Sequence, residues 1–227
     1  MRGPSNEIRP ALLLIAVALA AMVVFAALTL RTPEPEGYHG PTPAVTVEAP
    51  DVVLFIGDSY TQGAGVDAPW PRLVAEDLGW LEANKGLGGT GYVATAGPSG
   101  CGRSLCSAYP EVILGTGITP SLIIVSGGRD DPLAGFDAGV EATFAALGHR
   151  FPDVPVVVTS PLGDDDLAAD LDDKAAVVQR AAEVYGARYL DLGQPFAGRP
   201  ELILTDGVHP NDDGHRVLAD AVVAALG

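Results

Sequence analysis

Positive charge is scarce in this chain: 13 lysines and arginines stand against 29 aspartates and glutamates, a formal net charge of −16. Lys85 and Lys174 are its only lysines. Three of the basic and four of the acidic residues fall in the first fifty positions, so residues 51–227 carry about −15. A surface of that sign repels phosphate backbones, which argues against nucleic acid or an anionic membrane surface as its partner. The simplest effect of the charge is to keep the domain soluble. Cysteine is nearly absent too. Cys101 and Cys106 lie five positions apart in a Gly- and Ser-rich stretch with no His nearby, whereas a structural zinc site takes four ligands. In an oxidising compartment the pair reads as a local disulfide. So short a loop gains only about 2 kcal/mol on chain-entropy grounds, and its use is to stiffen the loop. In a reducing compartment the two are free thiols.

Long apolar runs are also few, with one exception. Ala11 to Leu30 is a 20-residue stretch in which Thr29 is the only polar side chain. As a helix it rises about 1.5 Å per residue, or roughly 30 Å, the thickness of a bilayer's hydrocarbon core. It has no polar face to turn toward water. Arg2 and Arg9 precede the run and only Arg31 follows it closely, which predicts a cytoplasmic N-terminus over residues 1–10 and an exported remainder. The alternative is a cleaved signal peptide, whose apolar region is normally shorter, about 7–15 residues. Residues 31–50 hold Pro33, Pro35, Pro41, Pro43 and Pro50 with no apolar periodicity, the composition of an extended stalk. The expected organisation is therefore a cytoplasmic tip (1–10), a signal anchor (11–30), a stalk (31–50) and one exported domain (51–227).

Within that domain strand and helix signals alternate. Short, β-branched apolar runs at Val52–Ile56, Leu122–Val125 and Val154–Thr159 read as buried parallel strands, with weaker ones at Leu81–Lys85 and Arg188–Leu192. Helical spacing is found at Pro69–Leu78, Pro110–Leu114, 135–149 and Gly214–Leu226. Another helix is expected to open on Asp164, Asp165 and Asp166, which suit a positive helix start, and to run to about Tyr185. The implied fold class is α/β, a three-layer α/β/α sandwich on a five-stranded parallel sheet. Ligands in such sheets bind beyond the carboxyl ends of the strands.

Those ends carry the polar clusters: Gly57-Asp58-Ser59-Tyr60, Asn84 through Gly91, Gly127-Gly128-Arg129-Asp130-Asp131, and Asp206-Gly207-Val208-His209-Pro210. Gly86 to Gly91 has the G-x-G-x-x-G spacing, but it follows the second strand and leads into a poor helix start, so it is no dinucleotide loop. The Gly-x-Ser-x-Gly elbow is absent. Ester cleavage by serine needs a hydroxyl, an imidazole to take its proton, a carboxylate to orient the ring, and donors for the oxyanion. Ser59 follows a buried strand directly, and an Asp and a His three positions apart can meet within one turn. His39, His149 and His215 read as solvated or structural.

In these blocks and their order the sequence resembles the SGNH hydrolase family, the GDSL esterases and lipases, over roughly residues 51–227. The resemblance implies Ser59 as nucleophile, His209 as base, Asp206 as its partner, and Gly89 as an oxyanion donor beside Ser59, with Gly88 the neighbouring choice. It implies no cofactor and no metal. One block departs: the family pattern Gly-x-Asn-Asp is met by Gly128-Arg129-Asp130-Asp131, so Asp130 stands where an Asn donates to the oxyanion. An ionised Asp130 donates nothing. Asp130 held protonated, Arg129 substituting for the donor, and a slow or inactive enzyme are the three outcomes left open. The expected function is an envelope esterase acting on a small-molecule, glycan or lipid ester. The alternative is a catalytically weakened domain of the same fold that binds an envelope glycan.

Overall fold

The computed structural model of the protein describes residues 51–227 except Leu167. The anchor and stalk expected at 11–30 and 31–50 lie outside the described residues. No helix among those described is long and apolar enough to cross a membrane.

Five strands form one parallel sheet in the order β2-β1-β3-β4-β5: β1 (Val52–Gly57), β2 (Leu81–Asn84), β3 (Leu122–Ser126), β4 (Val156–Thr159) and β5 (Arg188–Leu190). Alternation along β1 divides its side chains between two cores. Leu54 and Ile56 join Ile123, Val125 and Val158 on one face, under α4 (Tyr109–Gly115), α5 (Phe136–Arg150) and α6 (Leu171–Tyr185). Val53 and Phe55 join Ile124, Val157 and Leu190 on the other, under α2 (Trp70–Leu78) and α7 (Asp212–Leu226). Both faces are covered, hence the near-continuous apolar strands. The fold is the expected three-layer α/β/α sandwich. The chain leaves β1 toward β2 and then returns to place β3 on β1's other side. The β1/β3 boundary is therefore a topological switch point, where such sheets open a ligand crevice.

Several boundaries differ from the sequence expectation. Between Gly86 and Cys106, where the sequence signals neither helix nor strand, the chain holds α3 (Pro98–Cys101) and an antiparallel bridge between Ala96 and Cys106. A four-residue helix, α1 (Ser59–Gln62), follows β1 directly. The largest difference is at α6, which begins at Leu171 and not at Asp164. Asp164 is taken up elsewhere, binding Arg129 at 2.8 Å and accepting the Asp166 amide at 3.0 Å. The Asp165 carbonyl accepts the Gly198 amide at 3.1 Å. Asp172 and Asp173 occupy the first turn of α6 instead. β5 ends early because the Leu192 amide donates to the Ser160 hydroxyl, off the ladder.

Candidate active site

Glycine at position 57 lets the chain turn sharply out of β1. A β-carbon there would collide with Thr61 and with the Ser126 carbonyl of the neighbouring strand. Asp58 then caps α1, its carboxylate accepting the Tyr60 amide at 2.9 Å. This carboxyl is buried, and burial raises its pKa to about 7, with Asp130 and Asp131 adding to the rise against the Tyr60 amide and Arg129. Ser59 is the first residue of α1 and is 7% exposed. Tyr60 ties this corner to the far end of the chain. Its hydroxyl donates to the Val208 carbonyl at 2.6 Å, and its ring packs edge-on against Phe196 and, at 6.3 Å, His209. The same packing removes the phenol from water and holds its pKa well above the ordinary value.

The loop so anchored is a compact turn. One Asp206 oxygen accepts the amides of Val208 and His209 at 2.9 and 3.0 Å; the other lies 2.8 Å from His209 Nδ1. The ring contact and the two amides lower the Asp206 pKa to about 2, so the carboxylate stays charged. With Nδ1 as donor to Asp206, Nε2 is the nitrogen left to accept a proton. Asp206 and His209 are thus in direct contact. Ser59 directly precedes Tyr60, whose ring meets that of His209, and no hydrogen bond joins the Ser59 hydroxyl to His209 among the described residues. Such bonds are often long in unliganded enzymes and tighten with substrate.

Asn84 fixes the start of the Gly-rich segment, donating to the Thr61 carbonyl at 2.7 Å and accepting the Gly86 amide at 2.8 Å. The Leu87 amide donates to the Gly57 carbonyl at 2.9 Å. Gly88 is engaged as well, its amide donating to Gln62 Oε1. Gly89, at φ +72°, has an amide with no partner among the described residues. Of the two glycines named from the sequence, Gly89 is therefore the one with an amide free for an oxyanion. Cys101 and Cys106 are bonded to one another and close the adjoining loop.

The third block is set by Asp131. Its buried carboxylate accepts three amides, from Tyr92 at 2.9 Å, Val93 at 2.7 Å and Ala94 at 2.8 Å, stapling the Gly-rich segment to the end of β3. Asp130, the residue before it, is exposed. The protein packed behind Asp130 raises its pKa, Arg129 opposes this, Asp131 adds to it, and His209 and Lys174 oppose it. Arg129 lies over the Tyr60 ring at 5.4 Å and is paired with Asp164, so its charge is already partly neutralised.

Three contributors were not read from the sequence as such: Asp131 as a staple, Gln62 as an acceptor and Lys174. Lys174 is buried and paired with Asp170 at 2.9 Å, an i,i+4 spacing that was legible. His215 is fully buried, accepts the Trp70 amide at Nδ1, and is held down to about pKa 4 by burial, so it is a neutral structural residue. Among the described residues no cluster of His, Cys, Asp and Glu could hold a metal.

Comparison with known proteins gives the family and the fold. The GDSL-like Lipase/Acylhydrolase family pattern matches residues 55–217. A GDSL lipase of Mycobacterium tuberculosis is 30% identical over 188 residues, covering 77% of this chain and 80% of that protein. Among solved structures, a protein from Lactobacillus plantarum superposes with a TM-score of 0.62 at 21% identity, over 79% of this chain and 98% of that one. An acetyl xylan esterase from Geobacillus stearothermophilus does so with a TM-score of 0.56 at 18% identity, over 78% and 94%. At these identities the two superpositions establish the fold alone.

Proposed function

Because this chain belongs to the GDSL-like lipase/acylhydrolase family and is an ester hydrolase, we propose that it works outside the cytoplasmic membrane on acyl esters of envelope carbohydrate or lipid, O-acetyl esters among them. Ser59 Oγ attacks the acyl carbonyl while His209 Nε2 takes its proton and passes it to the leaving alkoxide. Asp206 holds the ring by Nδ1 and stabilises the imidazolium. The amides of Ser59 and Gly89 receive the oxyanion. Water then attacks the acyl-enzyme with His209 again as base, releasing the acid and restoring Ser59.

The observation that carries this reading is the 2.8 Å contact of Asp206 with His209, on a loop that Tyr60 holds against the first turn of α1. Export rests on the apolar stretch 11–30 with its N-terminal arginines, and the Cys101–Cys106 disulfide suits an oxidising compartment. A carbohydrate O-acetyl ester is the first substrate to test, since one protein of the same fold is an acetyl xylan esterase. The test is acid release by the full chain from O-acetylated envelope polysaccharide and from short- and long-chain acyl esters, beside His209→Gln. Turnover abolished by the substitution supports the reading. Equal turnover by both proteins contradicts it. A reporter active only after export, fused after Gly227, tests the location: activity is expected, and silence contradicts it.

One observation favours a second reading. Asp130 offers an exposed carboxylate where the family places an amide donor, which suits a weakened domain that binds an envelope glycan. Glycan binding without acid release is its signature.

A further inference from the structure

The turn Leu87–Thr90 presents the Gly89 amide, and its hold on the nucleophile corner is unevenly built. Leu87 is tied to Gly57 by main-chain atoms, and Thr90 closes the turn on the Leu87 carbonyl through its amide at 3.2 Å and its hydroxyl at 2.7 Å. Between them, one side chain makes the link. Gln62 Oε1 accepts the Gly88 amide at 2.5 Å, one residue before Gly89. Gln62 is the last residue of α1, and Ser59 is its first. The two share a single helical turn, closed when the Gly63 amide donates to the Ser59 carbonyl at 3.0 Å. The Gln62 carbonyl therefore references the turn to the same rigid unit that carries the nucleophile.

The far side of the turn is backed by the disulfide loop at main-chain contact. A β-carbon on Gly88 would lie 2.6 Å from the Gly100 carbonyl, and one on Gly89 would lie 3.2 Å from the Ala96 β-carbon. Ala96 and Cys106 exchange hydrogen bonds of 3.0 and 2.8 Å across the loop closed by Cys101 and Cys106. The turn is thus held between a stiffened wall on one side and, on the other, the Leu87 main-chain tie and the Gln62 hydrogen bond. Gln62 is itself exposed and fills no core.

We propose that Gln62 is a positioning residue for ester cleavage: by taking the Gly88 amide it sets the Gly89 amide at the distance from Ser59 that the oxyanion requires. This rests on the esterase reading above. An amide aimed at the oxyanion acts in the transition state and hardly on the bound ester, so its misplacement lowers kcat and leaves KM. Loss of a whole donor costs about 10²–10³ in kcat, and a displaced donor costs part of that, roughly tenfold.

The experiment compares full-chain wild type, Gln62→Met, which keeps the length and loses the acceptor, and Gln62→Glu, which keeps the acceptor. For a p-nitrophenyl acyl ester the Met variant should lose about tenfold in kcat with KM within about twofold, and the Glu variant should stay within about threefold of wild type. Inactivation by a p-nitrophenyl methylphosphonate, whose tetrahedral adduct uses the same donors, should slow in parallel with kcat, with Tm unchanged. An unchanged kcat in the Met variant overturns the proposal. So does an equal loss in both variants accompanied by a lowered Tm, the mark of a merely structural contact. A wild type inert to both ester and phosphonate refutes the esterase reading itself, and this inference with it.

Discussion

Replacing Asp130 by Asn should accelerate this enzyme. The Asp131 staple fixes the register of the third block, and on the sequence resemblance the side chain before it is expected at the position of an amide donor. Asp130 is exposed, and its ionised carboxylate has no proton to donate. One donor at an oxyanion is worth about 2.7–4 kcal/mol, or 10²–10³ in turnover. Repulsion adds to the deficit: like charges about 6 Å apart cost roughly 0.7 to 2.8 kcal/mol for effective dielectrics of about 80 to 20. Relief of repulsion alone gives roughly 3- to 10²-fold, and the restored donor brings the gain to about 10²-fold or above. The pH dependence carries the sign. The protein behind Asp130 lifts its pKa, so a neutral, donating acid persists above the usual carboxylate range and is lost as pH rises. The ratio of variant to wild-type kcat should therefore widen from mildly acid to alkaline pH. The assay is kcat for p-nitrophenyl acetate between about pH 5 and 9, on protein verified as folded by circular dichroism. A ratio near one at every pH refutes the argument and leaves Asp130 as a turn-capping residue.

Three further outcomes follow from the same contacts. Asp206→Asn keeps the shape of the turn but removes the carboxylate that orients His209, and kcat should fall by about 10³–10⁴ with little change in KM; a loss below tenfold contradicts its role. Asp58 has a folded pKa of about 7 against an ordinary 3.8, so the stability it contributes is complete below about pH 4 and is lost as pH rises to about 7. Urea midpoints of wild type should fall across that window, by up to about 4 kcal/mol in stability, while Asp58→Asn should flatten the slope; parallel slopes contradict the burial argument. Asp131→Ala strands three amides and should cost about 3–5 kcal/mol in urea unfolding, against under about 1 kcal/mol if the staple is idle.

The sheet was legible because its three central strands, β1, β3 and β4, are short apolar runs buried on both faces; the edge strands β2 and β5 are more exposed and gave the weaker signals. The Asp206–His209 contact was legible because the two lie three positions apart in one block; Ser59 was singled out by its place directly after β1. What sequence could not supply is contact at long separation. Asp131 binds amides 37 to 39 positions upstream, and Tyr60 reaches Val208 across 148. No local spacing encodes either. The misplaced start of α6 has the same origin: three aspartates make a plausible first turn, until Arg129, 35 positions earlier, claims Asp164. Gln62 was invisible because a glutamine ending a four-residue helix carries no pattern; only the fold brings Gly88 to it.

The central claim is that Ser59 is the nucleophile. A fluorophosphonate probe, followed by peptide mass spectrometry, tests it most directly. Wild-type protein should carry one adduct, on the peptide containing Ser59, and Ser59→Ala should carry none. Equal labelling of the two proteins, or an adduct on another serine, would contradict the account.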